Sequence, residues 1–152
     1  MGKMETVIFI GLQASGKSSF YKHKFADSHI RLNLDMLKTR HREQLLFKDF
    51  FTSKQPVVID NTNPTVIDRK KYILPAKNHR FEITGYYFQS DVEKCKQRNS
   101  LRQGKSKIPL VGILATANKL ELPSYQEGFN RLHYVKTTKS NLFVVEQWQN
   151  EF

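Results

Sequence analysis

The sequence predicts a three-layer α/β domain, in which a mostly parallel sheet is flanked by helices. Short apolar segments with strand character alternate with helix-length segments along the whole chain. The first apolar segment, residues 6–10, runs directly into Gly11-Leu12-Gln13-Ala14-Ser15-Gly16-Lys17-Ser18, which fits the pattern G-x-x-x-x-G-K-S/T at every fixed position. The chain has 152 residues without a repeat or a linker, so we expect a single P-loop domain over residues 1–152.

The first half of the chain contributes three predicted strands and two predicted helices. Strands are expected at residues 6–10, 30–34 and 56–60, and the last of these is apolar in the way that is typical of a central parallel strand. Helices are expected at residues 17–25 and from about 36 to 51. On the second helix, the side chains expected to be buried are Leu37, Leu45, Leu46 and Phe50.

The second half of the chain continues the alternation. Asn63 is expected to cap a helix that has Pro64 in its first turn. The elements expected here are that helix ending near residues 78–79, a strand at 81–88, a helix from 90 or 91 to about 101, a helix after Pro109 that is broken at 122–123, and two weaker strands at 133–135 and 142–145.

The glycine-rich segment predicts a nucleoside triphosphate site. Gly11 and Gly16 lack a Cβ, so the backbone can fold closely around a polyphosphate, and the following amide groups point inward at the start of a helix. Lys17 is expected to reach the β- and γ-phosphates, and the Ser18 hydroxyl is expected to ligate Mg²⁺. The residues expected to bind the nucleotide here are Gly11, Ala14, Ser15, Gly16, Lys17, Ser18 and Ser19.

Two aspartates follow predicted strands at the edge of the sheet where the P-loop also lies. Asp60 ends the strand at 56–60 and is expected to hold the Mg²⁺ shell together with Ser18. Asp35 follows the strand at 30–34, where its carboxylate can accept a proton from a hydroxyl that attacks the γ-phosphate. The alternatives are that Asp60 serves a turn or a cap, and that Asp35 caps the helix beginning at Met36.

A basic segment after the fourth predicted strand favours a lid. Arg98 and Arg102 lie one helical turn apart and project from the same face. Gly104 follows them in a loop, so we expect a lid over about residues 98–109 whose arginines close over the phosphates. The alternative is a solvated basic face of a helix.

The charge of the chain indicates a polyanionic partner beyond the nucleotide. The sequence has 25 lysines and arginines against 14 acids, which gives a formal net charge of +11. The positive side chains cluster at residues 38–42 and 94–107. This clustering favours a single-stranded or end-containing nucleic acid as partner, while general solubility is the alternative explanation.

Other features bear on the compartment. The single cysteine, Cys95, is typical of a reducing environment. The longest apolar run, residues 7–10, is too short to cross a membrane, and residues 1–5 do not resemble a secretory signal. We therefore expect a cytoplasmic protein without a membrane partner, and the sequence leaves its oligomeric state open.

With these residues assembled, the chain resembles the kinase domain of the polynucleotide 5′-hydroxyl kinase family from residue 6 to about residue 135. The resemblance rests on the P-loop, the Asp35 segment, Val58-Ile59-Asp60-Asn61-Thr62-Asn63, and Arg98-Asn99 followed by Arg102. Further matches are Arg69, Tyr72-Ile73, Ala76-Lys77 and a late Glu127-Gly128-Phe129 element that we interpret as structural.

The resemblance implies ATP- and Mg²⁺-dependent phosphorylation of a 5′-OH end of DNA or RNA. It implies that Asp35 is the general base and that Arg102 contacts the β- or γ-phosphate and stabilises the transition state. Arg98 would lie beside the nucleotide in the same lid. The chain has no phosphatase or ligase motif beside these elements.

One departure from the family pattern concerns the acceptor. Where the family commonly has Arg three residues after the catalytic Asp, this chain has Lys38, which meets a phosphate only as a point charge. Arg40 and Arg42 are the candidates to substitute as substrate-binding residues. Two other functions therefore stay open: a P-loop kinase for a small hydroxyl compound (a nucleoside, sugar or antibiotic), and a regulator that binds or hydrolyses nucleotide.

Overall fold

The computed structural model describes residues 4–104, 107–138 and 142–149. Within these residues, six strands form one sheet in the order β2-β3-β1-β4-β5-β6, in which β6 is antiparallel to β5 and the other pairs are parallel. The elements are β1 (Glu5–Ile10), α1 (Lys17–Lys24), β2 (Ile30–Leu32), α2 (Leu34–Leu37), α3 (Arg40–Ser53), β3 (Val57–Ile59), α4 (Val66–Asn78), β4 (Glu82–Phe88), α5 (Val92–Ser100), α6 (Leu110–Lys119), β5 (Arg131–Thr137) and β6 (Phe143–Gln147).

The central strand β1 explains the three layers, because it is buried along its whole length. Successive side chains of a strand point to opposite faces of the sheet. Ile8 and Ile10 accordingly join the core beneath α3 and α4, while Val7 and Phe9 join a second core beneath α1. The sheet is thus covered on both faces, which confirms the predicted fold class. No helix in the described part of the chain has the length and apolarity needed to span a membrane.

The parallel topology brings several loops together at one edge of the sheet. β1, β2 and β3 run in the same direction, so Gly11, Asn33 and Asp60 all follow strand ends at this edge. Asp60 N donates to Leu32 O at 2.8 Å and Gly11 N donates to Thr62 O at 3.0 Å, which ties the three strand ends to one another. Ligands in open parallel sheets bind at such an edge.

The predicted helix over residues 36–51 is in fact two helices. Asn33 caps α2 by accepting a hydrogen bond from Met36 N at 3.1 Å, so β2 ends at Leu32 and not at residue 34. Lys38 then adopts a φ of 77°, which breaks the helix. Thr39 caps α3 by accepting from Arg42 N at 3.2 Å.

The buried face predicted for this segment is also largely wrong. Leu45 and Leu46 are exposed (53% and 37%), whereas Phe47 and Phe51 are buried. The ring of Phe47 contacts Tyr72 and the ring of Phe51 contacts Phe81. The face of α3 that packs against the core is therefore the one that carries Phe47 and Phe51, one residue after the predicted Leu46 and Phe50. Of the other residues expected to be buried, Leu37 and Phe50 are partly buried against this core.

Asn63 is not a helix cap. Thr65 caps α4 by accepting from Asp68 N at 3.1 Å. Asn63 is instead buried at a φ of 44°, and its Nδ2 donates to Phe9 O at 2.8 Å. Its side chain therefore joins the end of β3 to the end of β1.

Candidate functional site

The P-loop forms a tight turn between β1 and α1. Gly16 precedes α1 at a φ of 101°, a conformation that favours glycine, and no side chain caps the helix. A Cβ on Gly11 would lie 3.0 Å from Phe88 Cβ, so the loop also approaches β4 too closely for a larger residue. The N-terminus of α1 is therefore open toward the edge where the strands end, as a phosphate site requires.

Lys17 is buried beneath this loop. Its Nζ donates to Gly11 O at 3.0 Å, to Leu12 O at 2.6 Å and to Ser15 Oγ at 3.4 Å. Burial lowers the pKa of Lys17 to about 8, and the nearby Asp60 carboxylate opposes this shift. The ammonium group is thus held inside the loop by backbone carbonyls, in an environment that an anionic ligand would improve.

A cavity of about 250 Å³ lies above the loop and brings most of the predicted catalytic residues together. Its lining residues are Gln13, Ala14, Lys17, Ser18, Asn33, Leu34, Asp35, Asp60, Asn61, Thr62, Arg102 and Ile108. An adjoining groove shares Ser18, Asp35 and Arg102 with it and adds Arg31 and Lys38. The cavity at the P-loop, where the phosphate donor is predicted to bind, is therefore continuous with the groove at Asp35 and Lys38, where the acceptor is predicted to bind.

Ser18 and Asp60 form the predicted metal position. Ser18 Oγ donates to Asp60 Oδ2 at 3.1 Å. Asn33 Nδ2 donates to Asp60 O at 2.6 Å, which fixes the backbone that carries the buried carboxylate. A hydroxyl and a carboxylate are hard oxygen ligands, and Mg²⁺ typically takes one or two carboxylates and completes its shell with phosphate and water oxygens. The pair fits Mg²⁺.

Arg31 is a residue of this site that sequence reasoning missed. Its Nε donates to Asp60 Oδ2 at 2.7 Å and its Nη2 donates to Ser18 Oγ at 2.9 Å. The sequence pattern that could have identified Arg31 is the alternation within β2. Because Leu32 is buried on one face of the sheet, its neighbour Arg31 must face the other side.

Asp35 lies in the first turn of α2 with an exposed side chain that lines both the cavity and the groove. The alternative that Asp35 caps a helix is wrong, because Asn33 caps α2. Asn61 Oδ1 accepts from Leu34 N at 2.9 Å and so anchors the same turn to the end of β3. The carboxylate is thereby left available to solvent and to a ligand.

A buried network behind Asp35 was also missed. Glu43 is 2% exposed and accepts hydrogen bonds from Tyr72 Oη at 2.7 Å and from Asn61 Nδ2 at 2.9 Å. Burial and the Glu43 contact raise the pKa of Tyr72, so the phenol stays protonated and keeps donating. A glutamate in a helix ordinarily indicates an exposed position, so only the fold could show this role.

The two arginines of the predicted lid make different contacts. Arg98 Nη1 donates to Ala14 O at 3.3 Å, and Arg102 lines both the cavity and the groove. Asn99 holds the far end of the loop, since its Oδ1 accepts from Ile108 N at 2.8 Å and its Nδ2 donates to Ile108 O at 2.6 Å. Residues 105 and 106 of the predicted lid lie outside the described residues.

The predicted acceptor residues do not all reach the site. Lys38 lines the groove. Arg40 Nη1 donates to Tyr72 Oη at 3.2 Å and Arg42 Nη1 donates to Leu37 O at 3.2 Å, and neither is among the residues that line the cavity or the groove. Ser19 lies exposed on α1 and likewise is not among those residues.

The chain is similar in sequence to known proteins over most of its length. A family model described as an AAA domain matches residues 41–123. The bifunctional polynucleotide phosphatase/kinase of Schizosaccharomyces pombe is 28% identical over 135 residues, which is 86% of this chain and 33% of that protein. The chain thus spans about a third of the length of the curated relatives that it matches. The resemblance to polynucleotide kinases is confirmed.

Solved structures confirm the predicted P-loop kinase fold. A gluconokinase from Sinorhizobium meliloti matches with a TM-score of 0.65 at 16% identity, over 91% of this chain and 86% of that one. A chain of a Pnkp1/Rnl/Hen1 complex matches with a TM-score of 0.51 at 21% identity, over 69% of this chain and 42% of that one. At these identities the likeness concerns the fold alone.

Proposed function

The chain belongs to the AAA-domain family of P-loop proteins, and from this premise we propose that it is an ATP-dependent kinase that transfers the γ-phosphate to a 5′-OH end of DNA or RNA. The observation that carries the proposal is the continuous space in which Lys17, the Ser18–Asp60 pair, Asp35 and Arg102 meet. The open groove beside Asp35 favours an acceptor larger than water, and so favours a kinase over a hydrolase.

The donor side is built from the P-loop and the end of β3. Lys17 lines the cavity and would bind the β- and γ-phosphates, and the N-terminus of α1 would supply amide groups. Ser18 and Asp60 would hold Mg²⁺ through the hydroxyl and the carboxylate. When bound, Mg²⁺ neutralises charge on the phosphate oxygens.

The acceptor side is built from α2 and the lid. Asp35 would accept the proton of the 5′-hydroxyl as the hydroxyl oxygen forms a bond to the γ-phosphorus. The bond from that phosphorus to the β,γ-bridging oxygen breaks, which releases ADP. Arg102 lines the same space and stabilises the charge that develops on the transferred group. The groove beyond Asp35 is open to solvent, so a longer chain can continue outward past Lys38.

The acceptor class rests on charge and on relatives. A net charge of +11 favours a polyanionic acceptor, and the Schizosaccharomyces pombe relative carries polynucleotide kinase in its name. Because the chain spans about a third of that relative, we propose the 5′-kinase activity alone.

The test is incubation with γ-labelled ATP, Mg²⁺ and a 5′-OH oligonucleotide. The wild-type protein is expected to label the oligonucleotide. Lys17→Ala is expected not to label it and serves as the control with an impaired ATP site. A 5′-phosphorylated oligonucleotide of the same sequence should accept no label. Transfer to nucleosides or sugars with none to the oligonucleotide would replace the proposal with a small-molecule kinase.

The lowered pKa of Lys17 predicts how ATP binding depends on pH. Free protein loses the Lys17 proton as pH rises through about 8, whereas bound phosphates stabilise the ammonium form and raise the pKa in the complex. ATP affinity should therefore fall with pH above about 8, by up to about tenfold per unit if one proton is coupled.

Calorimetry of Mg²⁺·ATP binding in two buffers of different ionisation heat measures this coupling. At pH 8.5 the wild type should take up a fraction of a proton for each ATP bound. Lys17→Met, measured at higher ATP concentration, should take up none. Proton-independent binding by the wild type at that pH would contradict the assignment of Lys17 to the phosphates.

A further inference from the structure

Arg31 occupies the position that the proposed function assigns to Mg²⁺. Its guanidinium donates through two nitrogens to Asp60 Oδ2 (2.7 Å) and Ser18 Oγ (2.9 Å), the two oxygens that make up the metal position. Ser18 Oγ in turn donates a hydrogen bond to Asp60 Oδ2, so the lone pairs of the Ser18 oxygen are left to accept from Arg31. A cation and two hard oxygen ligands are thus already assembled.

We propose that Arg31 is a resident counter-ion of the metal position, which neutralises Asp60 before the nucleotide arrives and must yield when Mg²⁺·ATP binds. This inference rests on the proposed use of Mg²⁺·ATP, but not on the identity of the acceptor.

The electrostatics of Asp60 call for such a counter-ion. The Asp60 side chain is 1% exposed, and a buried carboxylate without a paired cation is strongly disfavoured. Lys17 is a second cation near it, yet the Lys17 ammonium donates to Gly11 O and Leu12 O. Arg31 contacts the carboxylate directly.

Arg31 and a divalent metal compete for the same carboxylate oxygen. A guanidinium and Mg²⁺ that both contact Asp60 Oδ2 would lie a few ångströms apart, where like charges repel strongly. The Arg31 side chain can move away from Asp60 into the adjoining groove, because it is 27% exposed and lines that groove together with Asp35 and Lys38. Exchange therefore needs a change of side-chain rotamer and no movement of the sheet.

Two consequences follow for binding in the absence of chemistry. Without metal, Arg31 shields the phosphates of ATP from the Asp60 carboxylate and so supports nucleotide binding. With metal, the same contact has to be broken, so Arg31 raises the Mg²⁺ concentration that the site requires. Removing Arg31 should shift these two quantities in opposite senses, which a purely structural role for Arg31 would not do.

The experiment measures binding of a non-hydrolysable ATP analogue with no acceptor present. In Arg31→Gln, the concentration of Mg²⁺ that half-saturates the complex should fall about tenfold, and analogue affinity in EDTA should weaken about threefold, as expected when one nearby unit charge is removed. Mn²⁺ should give the same shift when free metal is counted by its paramagnetic resonance signal.

The matched control is Arg131→Gln, which removes one guanidinium from an exposed ion pair with Glu82 and should shift neither quantity. Arg31→Lys keeps the charge but cannot span both oxygens, and it should lower the half-saturating Mg²⁺ concentration by about threefold. An unchanged or increased Mg²⁺ requirement in Arg31→Gln and Arg31→Lys would overturn the proposal. Because no acceptor is used, failure of oligonucleotide labelling would leave these results unaffected.

Discussion

Replacing Asp35 with Asn is expected to lower the rate of phosphate transfer by about 10²- to 10⁴-fold, the range that a general base contributes. ATP affinity should change little, because the Asp35 side chain is exposed and its charge acts only weakly on Lys17. The measurement is single-turnover transfer from γ-labelled ATP to a 5′-OH oligonucleotide, with analogue binding measured in parallel.

The local structure makes Asp35→Asn a clean test. Asn33 caps α2 and Asn61 anchors the amide of Leu34, so the turn keeps both of its supports when the carboxylate is replaced by an amide of the same shape. Asp49→Asn, at an exposed position on α3, is the matched control and should transfer phosphate at the wild-type rate. Transfer by Asp35→Asn at more than about a tenth of the wild-type rate would exclude Asp35 as the base.

Replacing Glu127 with Ala is expected to destabilise the fold by about 3–5 kcal/mol, because it leaves a buried arginine without its counter-charge. Arg69 is 0% exposed, and its Nε and Nη2 donate to the two oxygens of Glu127 at 2.8 Å and 3.1 Å. Arg69 Nη1 also donates to Asn63 O at 2.9 Å, which carries the effect to the edge where the site lies.

Urea denaturation measures this change in the free energy of unfolding. Glu93→Ala is the control, since its ion pair with Lys96 is exposed and should contribute less than about 1 kcal/mol. A loss below about 1 kcal/mol in Glu127→Ala would mean that water reaches Arg69 and replaces the carboxylate. The sequence resemblance indicated a structural role for the Glu127 element, and the ion pair supplies its physical cause.

The elements predicted best are those whose signal is local. β1 and β3 contain short apolar runs, and a run of this kind has few ways to bury itself other than as a strand in a covered sheet. The helix after Pro109 also begins where expected, at Leu110, because proline fixes the backbone angle ahead of it.

The predictions were wrong where several neighbouring residues could each have capped a helix or filled its buried face. Asn33, Asp35 and Thr39 are all residues that can cap a helix, and local propensity could not tell which of them would do so. The choice depended on tertiary contacts, since Asn33 also reaches Asp60 O and so ties α2 to β3. Leu45 and Phe47 competed in the same way for the buried face of α3, and the ring packing of Phe47 on Tyr72 decided it.

The sequence by itself predicted four residues that meet at one edge of the sheet. Lys17 and Ser18 follow from a contiguous motif, and Asp35 and Asp60 follow from their positions after parallel strands, whose carboxyl ends must meet at one edge. All four line one cavity. Contiguity and topology are properties that can be read along a single chain.

Only the tertiary structure decided which cations and polar groups surround that site. Arg31 donates to Asp60, and the buried Glu43 accepts from Asn61. Arg40 and Arg42 are close to Asp35 in sequence, but they donate to Tyr72 and to Leu37 O. Long charged side chains reach several ångströms in any direction, so their partners depend on which elements pack beside them. Distance in space, not in sequence, selects those partners.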